Sequence, residues 1–81
     1  MIKRFVITEK ALRLAEKENK ITVILDRAAT KKQVADEIQK LYNVKVEEVN
    51  TLITPRGEKK AYVKLSKEHS AMDLLSKLGV L

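Results

Sequence analysis

Four residues, Thr54-Pro55-Arg56-Gly57, limit the fold of this chain more than any others. Pro at the second position and Gly at the fourth suit a tight turn. The segment before it, VKVEEVNTLIT, changes register at Glu47-Glu48, so regular alternation is expected from about Val49. In the segment after it, Ala61, Val63 and Leu65 alternate with Lys60, Tyr62 and Lys64. Two period-two segments joined by a tight turn predict an antiparallel hairpin. Its second strand carries one apolar face and one face that reads Lys-Tyr-Lys.

The rest of the chain must supply what covers the apolar face. Ile2 to Ile7 suits a short N-terminal strand. Thr8 suits a helix N-cap before EKALRLAEKEN, in which Leu12, Leu14 and Ala15 are the apolar positions. Asn19-Lys20 breaks that helix, and Ile21 to Leu25, ITVIL, is strand-like. TKKQVADEIQKLY is the clearest helix: Thr30 and Gln33 are spaced as a capping box, Val34, Ile38 and Leu41 mark one face, and Asn43 is its stop. Ser66 is positioned to cap a last helix with the stripe Ala71, Leu74, Leu75 and Leu78, ending at Gly79.

The order is therefore (β)αβαββα. It predicts an α+β fold with an antiparallel sheet of three main strands, a short N-terminal edge strand, and helices packed on the sheet. The strands at Ile21 and Val49 form a split β-α-β unit, with the Lys60–Leu65 strand filling the gap between them. That places the basic strand in the middle. Residues 1–81 are expected to form one domain.

Composition narrows the function. A net charge of +6 favours a polyanionic partner, nucleic acid or acidic lipid. The apolar runs fall far short of the roughly 20 residues needed to span a bilayer. The N-terminal stretch lacks a signal-peptide pattern, so a cytoplasmic chain with no membrane insertion is expected. With no cysteine there is neither a disulfide framework nor a thiolate metal site.

Catalysis finds no support. The only histidine, His69, is expected in the first turn of the last helix, where it reads as solvated. Asp36 and Glu37 are adjacent and point to different sides of a helix, so they are no acid–base pair. An acylphosphatase-like enzyme would share the fold, but its glycine-rich, arginine-bearing phosphate loop is absent. No catalytic residue, metal, cofactor or small-molecule substrate is expected.

Two basic constellations remain. Lys31 and Lys32 open the helix capped by Thr30, where cations oppose the helix dipole. A phosphate bound at the free N–H groups there would turn that liability into a site; otherwise they are two solvated lysines. Arg56, Lys59, Lys60, Tyr62 and Lys64 form the second group. An aromatic exposed among lysines on a central strand suits nucleotide stacking, against the plainer reading of a solvated sheet face. A stand-alone RNA-binding domain would account for both.

ITEKA (Ile7–Ala11), ATKKQVADEIQKLYNVKVEEVNTL (Ala29–Leu52) and KKAYVKLS (Lys59–Ser66) occur here in order and span most of the chain. In these motifs the sequence resembles the large-subunit ribosomal protein twenty-three family. The resemblance implies binding to large-subunit rRNA near the polypeptide exit tunnel and contact with neighbouring ribosomal proteins. It also implies a docking site for the signal recognition particle or other tunnel-exit factors. The rRNA-binding set it leads us to expect is Lys10, Lys31, Lys32, Asn50, Thr51, Arg56, Lys59, Lys60, Tyr62 and Lys64, with Glu9 and Glu16 on the factor-docking side. The long basic hairpin loop of bacterial members is reduced here to TPRGE, and the basic N-terminal extension of eukaryotic members is missing. The compact form looks archaeal.

Overall fold

The hairpin closes at the expected turn. In a computed structural model, which describes residues 2–81, Gly57 N–H donates to the Thr54 carbonyl at 2.8 Å and Thr54 N–H donates to Glu58 O at 2.8 Å. Gly57 has φ of 84°, a left-handed value that an L side chain rarely adopts. This is a three-residue loop of the turn-plus-bulge kind. The Thr54 hydroxyl also accepts from Glu58 N–H at 3.2 Å.

The elements are β1 (Ile2–Phe5), α1 (Glu9–Glu18), β2 (Lys20–Leu25), α2 (Lys31–Tyr42), β3 (Val46–Ile53), β4 (Lys59–Leu65) and α3 (Ala71–Lys77). The strands form one sheet in the order β1-β2-β4-β3, antiparallel throughout. The basic strand β4 is thus central, and β2 and β3 flank it in parallel, as the split unit requires.

Three local expectations are corrected. First, β3 starts at Val46 rather than near Val49. Val46 faces Leu65 and Glu48 faces Lys64, so Glu47 is an extra residue. The register change read in the sequence is this bulge, and pairing continues through it.

Second, α3 is capped by Ser70, whose hydroxyl accepts from Asp73 N–H at 3.2 Å; Ser66 is not its cap. His69 therefore precedes the helix. The reason lies in Asn19, the C-cap of α1. Its amide donates to the carbonyls of Leu65, Ser66 and His69 at 3.2, 3.1 and 2.8 Å, and its Oδ1 accepts from Ala71 N–H at 2.7 Å. One side chain thereby holds the β4–α3 loop and delays the helix start. At its other end Gly79 N–H donates to Ser76 O and Val80 N–H to Leu75 O, the crossed bonds of a glycine stop.

Third, Leu41 does not join the core. Val34 and Ile38 are fully buried, whereas Leu41 is 64% exposed. The buried residues Ile21, Val23, Leu25, Ala61, Val63 and Leu65 of the sheet meet Ala15, Val34, Ile38, Ala71, Leu74 and Leu75 of the helices in one cluster. Phe5 and Tyr42 meet edge to face at 6.2 Å beside it. The outer sheet face is also partly covered. Thr22 and Ile24 on that face are 2% and 3% exposed. Thr22 lies in a narrow cleft with Ala11 and Leu14 of α1, while Leu12 and Ala15 reach the core. The start of α1 therefore lies against the outer face.

Candidate nucleic-acid interface

Strand register decides which charges meet. Ile2 pairs with Leu25, Leu25 with Lys59, and Arg4 and Lys60 flank Ile24. The start of β1, the end of β2, the β3–β4 hairpin and the start of α2 therefore share one pole of the molecule. Eight cations gather there: Lys3, Arg4, Arg27, Lys31, Lys32, Arg56, Lys59 and Lys60. Two carboxylates, Asp26 and Glu58, accompany them. The chain's other nine Lys and Arg residues are matched by nine Asp and Glu, so the whole formal excess of +6 sits at this pole.

Arg4, Arg56 and Lys60 rim a shallow groove whose floor includes Val6, Ile24 and Pro55. Glu58 lies in the same groove. Arg4 donates to both of its oxygens, at 3.1 and 3.3 Å. That hydrogen bond holds the Glu58 carboxyl below the usual carboxylate range against the opposing effect of desolvation, and the charges of Arg4, Arg56 and Lys3 add to the lowering. The carboxylate thus fixes the Arg4 guanidinium in place.

The expected site residues divide. Arg56 and Lys60 are on the groove. Lys59 lies in register with Ala61 on the helix-covered side, and its ammonium donates to the Ala29 carbonyl. Lys31 and Lys32 are exposed next to it. The Thr30–Gln33 capping box is formed, with Thr30 N–H donating to Gln33 Oε1 at 3.0 Å and Gln33 N–H to Thr30 Oγ1 at 3.2 Å. It leaves the Lys31 and Lys32 N–H groups at the helix end.

Lys10 lines the α1 cleft together with Lys60, Tyr62 and Thr22. Tyr62 is half-buried there rather than exposed, with the Lys60 ammonium 5.8 Å from its ring centroid. The cause is the start of α1, which rises against the outer face. Asn50 shares that face, facing Tyr62 across the pair of strands, and its amide donates to Glu48 at 2.7 Å. Thr51 points to the opposite face.

Lys64 stands apart from the pole, 3.9 Å from Glu47 at the charge-balanced end. Glu9 and Glu16 are exposed on α1, two turns apart, but Arg13 occupies the same side of the helix between them, so that face is mixed rather than acidic. Lys3, Arg4 and Arg27 are missing from the set expected from sequence. Arg4 carried no period or motif that marked it; only its pairing beside Ile24 brings it to the hairpin.

Among the described residues no group of His, Asp or Glu side chains could hold a metal ion, and no helix is long and apolar enough to cross a membrane. What the pole offers is a cluster of fixed and flexible cations around an apolar floor, suited to a polyanion with flat apolar parts.

The family model described as Ribosomal protein L23 matches residues 1–73. A protein of Pyrobaculum aerophilum named large ribosomal subunit protein uL23 is 84% identical over 81 residues, covering the whole of both chains. A protein of the same name from Caldivirga maquilingensis is 57% identical over 81 residues, all of this chain and 94% of that one.

Proposed function

This chain belongs to the ribosomal protein L23 family, and on that premise we propose that it binds large-subunit rRNA through its basic pole. It is a structural constituent of the large ribosomal subunit, cytoplasmic and not an enzyme. The observation that carries the RNA reading is the confinement of the entire +6 excess to one end of the sheet. A backbone of phosphates is the partner that such an end fits best, because each neutralised phosphate releases condensed counterions.

Arg4, Arg56 and Lys60 on the groove rim take phosphates, and the Val6–Ile24–Pro55 floor takes the edge of a ribose or base. Lys31, Lys32 and the N–H groups beneath them add a further phosphate position. Lys10 extends the surface along the α1 cleft. Footprinting of large-subunit rRNA by the whole chain tests this. Protection that disappears when Arg56 and Lys60 become Gln supports it; protection unchanged in that variant overturns it.

Within the family's setting we also place the chain at the rim of the exit tunnel, in contact with neighbouring ribosomal proteins, with Glu9 and Glu16 as the docking side for the signal recognition particle or another tunnel-exit factor. With Arg13 between them, they offer two separate carboxylates rather than a stripe. Glu9→Lys should leave incorporation into large subunits intact and weaken factor docking to salt-washed ribosomes; wild-type docking would leave Glu9 as a helix-stabilising residue.

A further inference from the structure

Glu58 is out of place at a pole that carries the chain's whole positive excess. Its carboxylate stands in the groove rimmed by Arg4, Arg56 and Lys60, where it repels the phosphates that those cations attract. A groove shaped for phosphates alone would be better without it.

The hairpin does not need the carboxylate. Its loop is closed by main-chain atoms and the Thr54 hydroxyl: Thr54 N–H donates to Glu58 O, and Glu58 N–H donates to Thr54 Oγ1. The Glu58 side chain reaches Arg4 instead. Arg4 lies on β1 and Glu58 just before β4, with β2 between those two strands. Two strand spacings are about 10 Å, so the pair meets across the end of β2. There Arg4 Nη1 donates to Glu58 Oε2 at 3.1 Å, and Nη2 donates to Oε1 at 3.3 Å. The side chains are 57% and 35% exposed, and a pair so open to solvent adds little to stability.

The tether limits what the guanidinium can do. Its forked Nη edge, which would otherwise grip a phosphate with two bonds, is occupied by Glu58. The outer N–H groups can still meet a single phosphate oxygen. The flat faces are left open, and the plane is held still beside the apolar floor of Val6, Ile24 and Pro55. In RNA the flat body that suits a guanidinium plane is a nucleobase. The base must be unpaired, because one inside a helix already stacks on both neighbours. Tyr62, the stacking residue that the sequence suggested, is half-buried against α1 and leaves that role to Arg4.

We propose that Glu58 is a positioning residue for RNA binding: it holds the Arg4 guanidinium as a platform on which one unpaired nucleobase of rRNA stacks. The platform rests on the RNA reading of the basic pole given above, and adds to it a base where that reading needs only phosphates.

The test compares two RNA duplexes, one with a single bulged adenosine and one with an abasic bulge at the same place. Their phosphates are equal in number, so the ratio of affinities reports the base alone. The unmodified chain should bind the adenosine bulge at least about fivefold tighter, the lower end of what one stacked base contributes. Glu58→Gln should bring that ratio close to one, while affinity for the abasic duplex stays level or rises because a negative charge has gone. Arg4→Lys keeps the cation without the plane, and should lose the ratio in the same way. Equal weakening of both duplexes by Glu58→Gln would make Glu58 a structural residue and overturn the platform. So would a ratio kept by either variant, or a ratio of one in the unmodified chain. Failure of the unmodified chain to bind either duplex would instead overturn the RNA reading of the pole.

Discussion

Moving three neutralising substitutions from one end of this chain to the other should change its salt dependence, although net charge falls equally. The polar set is Arg27→Gln, Arg56→Gln and Lys60→Gln. The distal set is Lys45→Gln, Lys64→Gln and Lys67→Gln. Lys60 and Lys64 are four strand residues apart, about 13 Å. That exceeds the Debye length of about 10 Å at 0.1 M salt, so a lysine at the distal end is largely screened from a phosphate held at the pole. Every phosphate that the chain no longer neutralises should lower the log–log salt slope by about 0.9 on a duplex and somewhat less on single strands. Three such phosphates amount to a slope change of about 2.7, so between 50 and 200 mM salt the unmodified chain should lose about 40-fold more affinity than the polar variant.

The distal variant should keep the unmodified slope. It gives up two exposed ion pairs, Lys64–Glu47 at 3.9 Å and Lys45–Glu68 at 4.0 Å, each worth about 0–1 kcal/mol of stability. Filter binding to a large-subunit rRNA fragment across a salt series, with circular dichroism to establish the fold, gives the comparison. Equal flattening by both sets would show that overall charge, not the pole, drives binding. No flattening by the polar set would remove the pole from the interface.

Asn19→Ala should destabilise the isolated chain by about 2–4 kcal/mol in urea unfolding, because it unpairs four groups at the β4–α3 loop and puts a Cβ-bearing residue of poor fit at φ 56°; Asn19→Gly, which relieves the backbone, should recover only part of the loss. Lys31→Glu with Lys32→Glu should raise thermal stability by some tenths of a kcal/mol through the helix dipole while weakening RNA binding, and level results in both measurements would mark these lysines as merely solvated.

The fold was legible because local signals and topology agreed. The turn at Thr54–Gly57 fixed one antiparallel pair, and the helix capped at Thr30 fixed a crossover, which together left β4 only the central position. What escaped were consequences of long-range packing. Ser66 and Ser70 are equally good N-caps by composition, and the choice falls on Ser70 because Asn19, some fifty residues away, already binds the carbonyls of Leu65, Ser66 and His69. Leu41 fits the helical period of Val34 and Ile38, but that period gives direction and not the extent of the surface beneath it.

The site was legible only as far as cations cluster along the chain. Arg56, Lys59 and Lys60 are neighbours in sequence, yet alternation sends Lys59 to the helix side, where it reaches Ala29 and ties the hairpin to the start of α2. Lys3, Arg4 and Arg27 come from segments with no basic pattern of their own, and reach the same pole through two registers, Ile2 with Leu25 and Leu25 with Lys59. Conversely Lys64, one turn of the pleat beyond Tyr62, reads as part of the basic face until the bulge at Glu47 sets a carboxylate beside it. A strand of fixed composition is thus divided into an end that carries the net charge and an end that carries none. Nothing in KKAYVKL draws that division; the strands on either side do, by what they bring to each end.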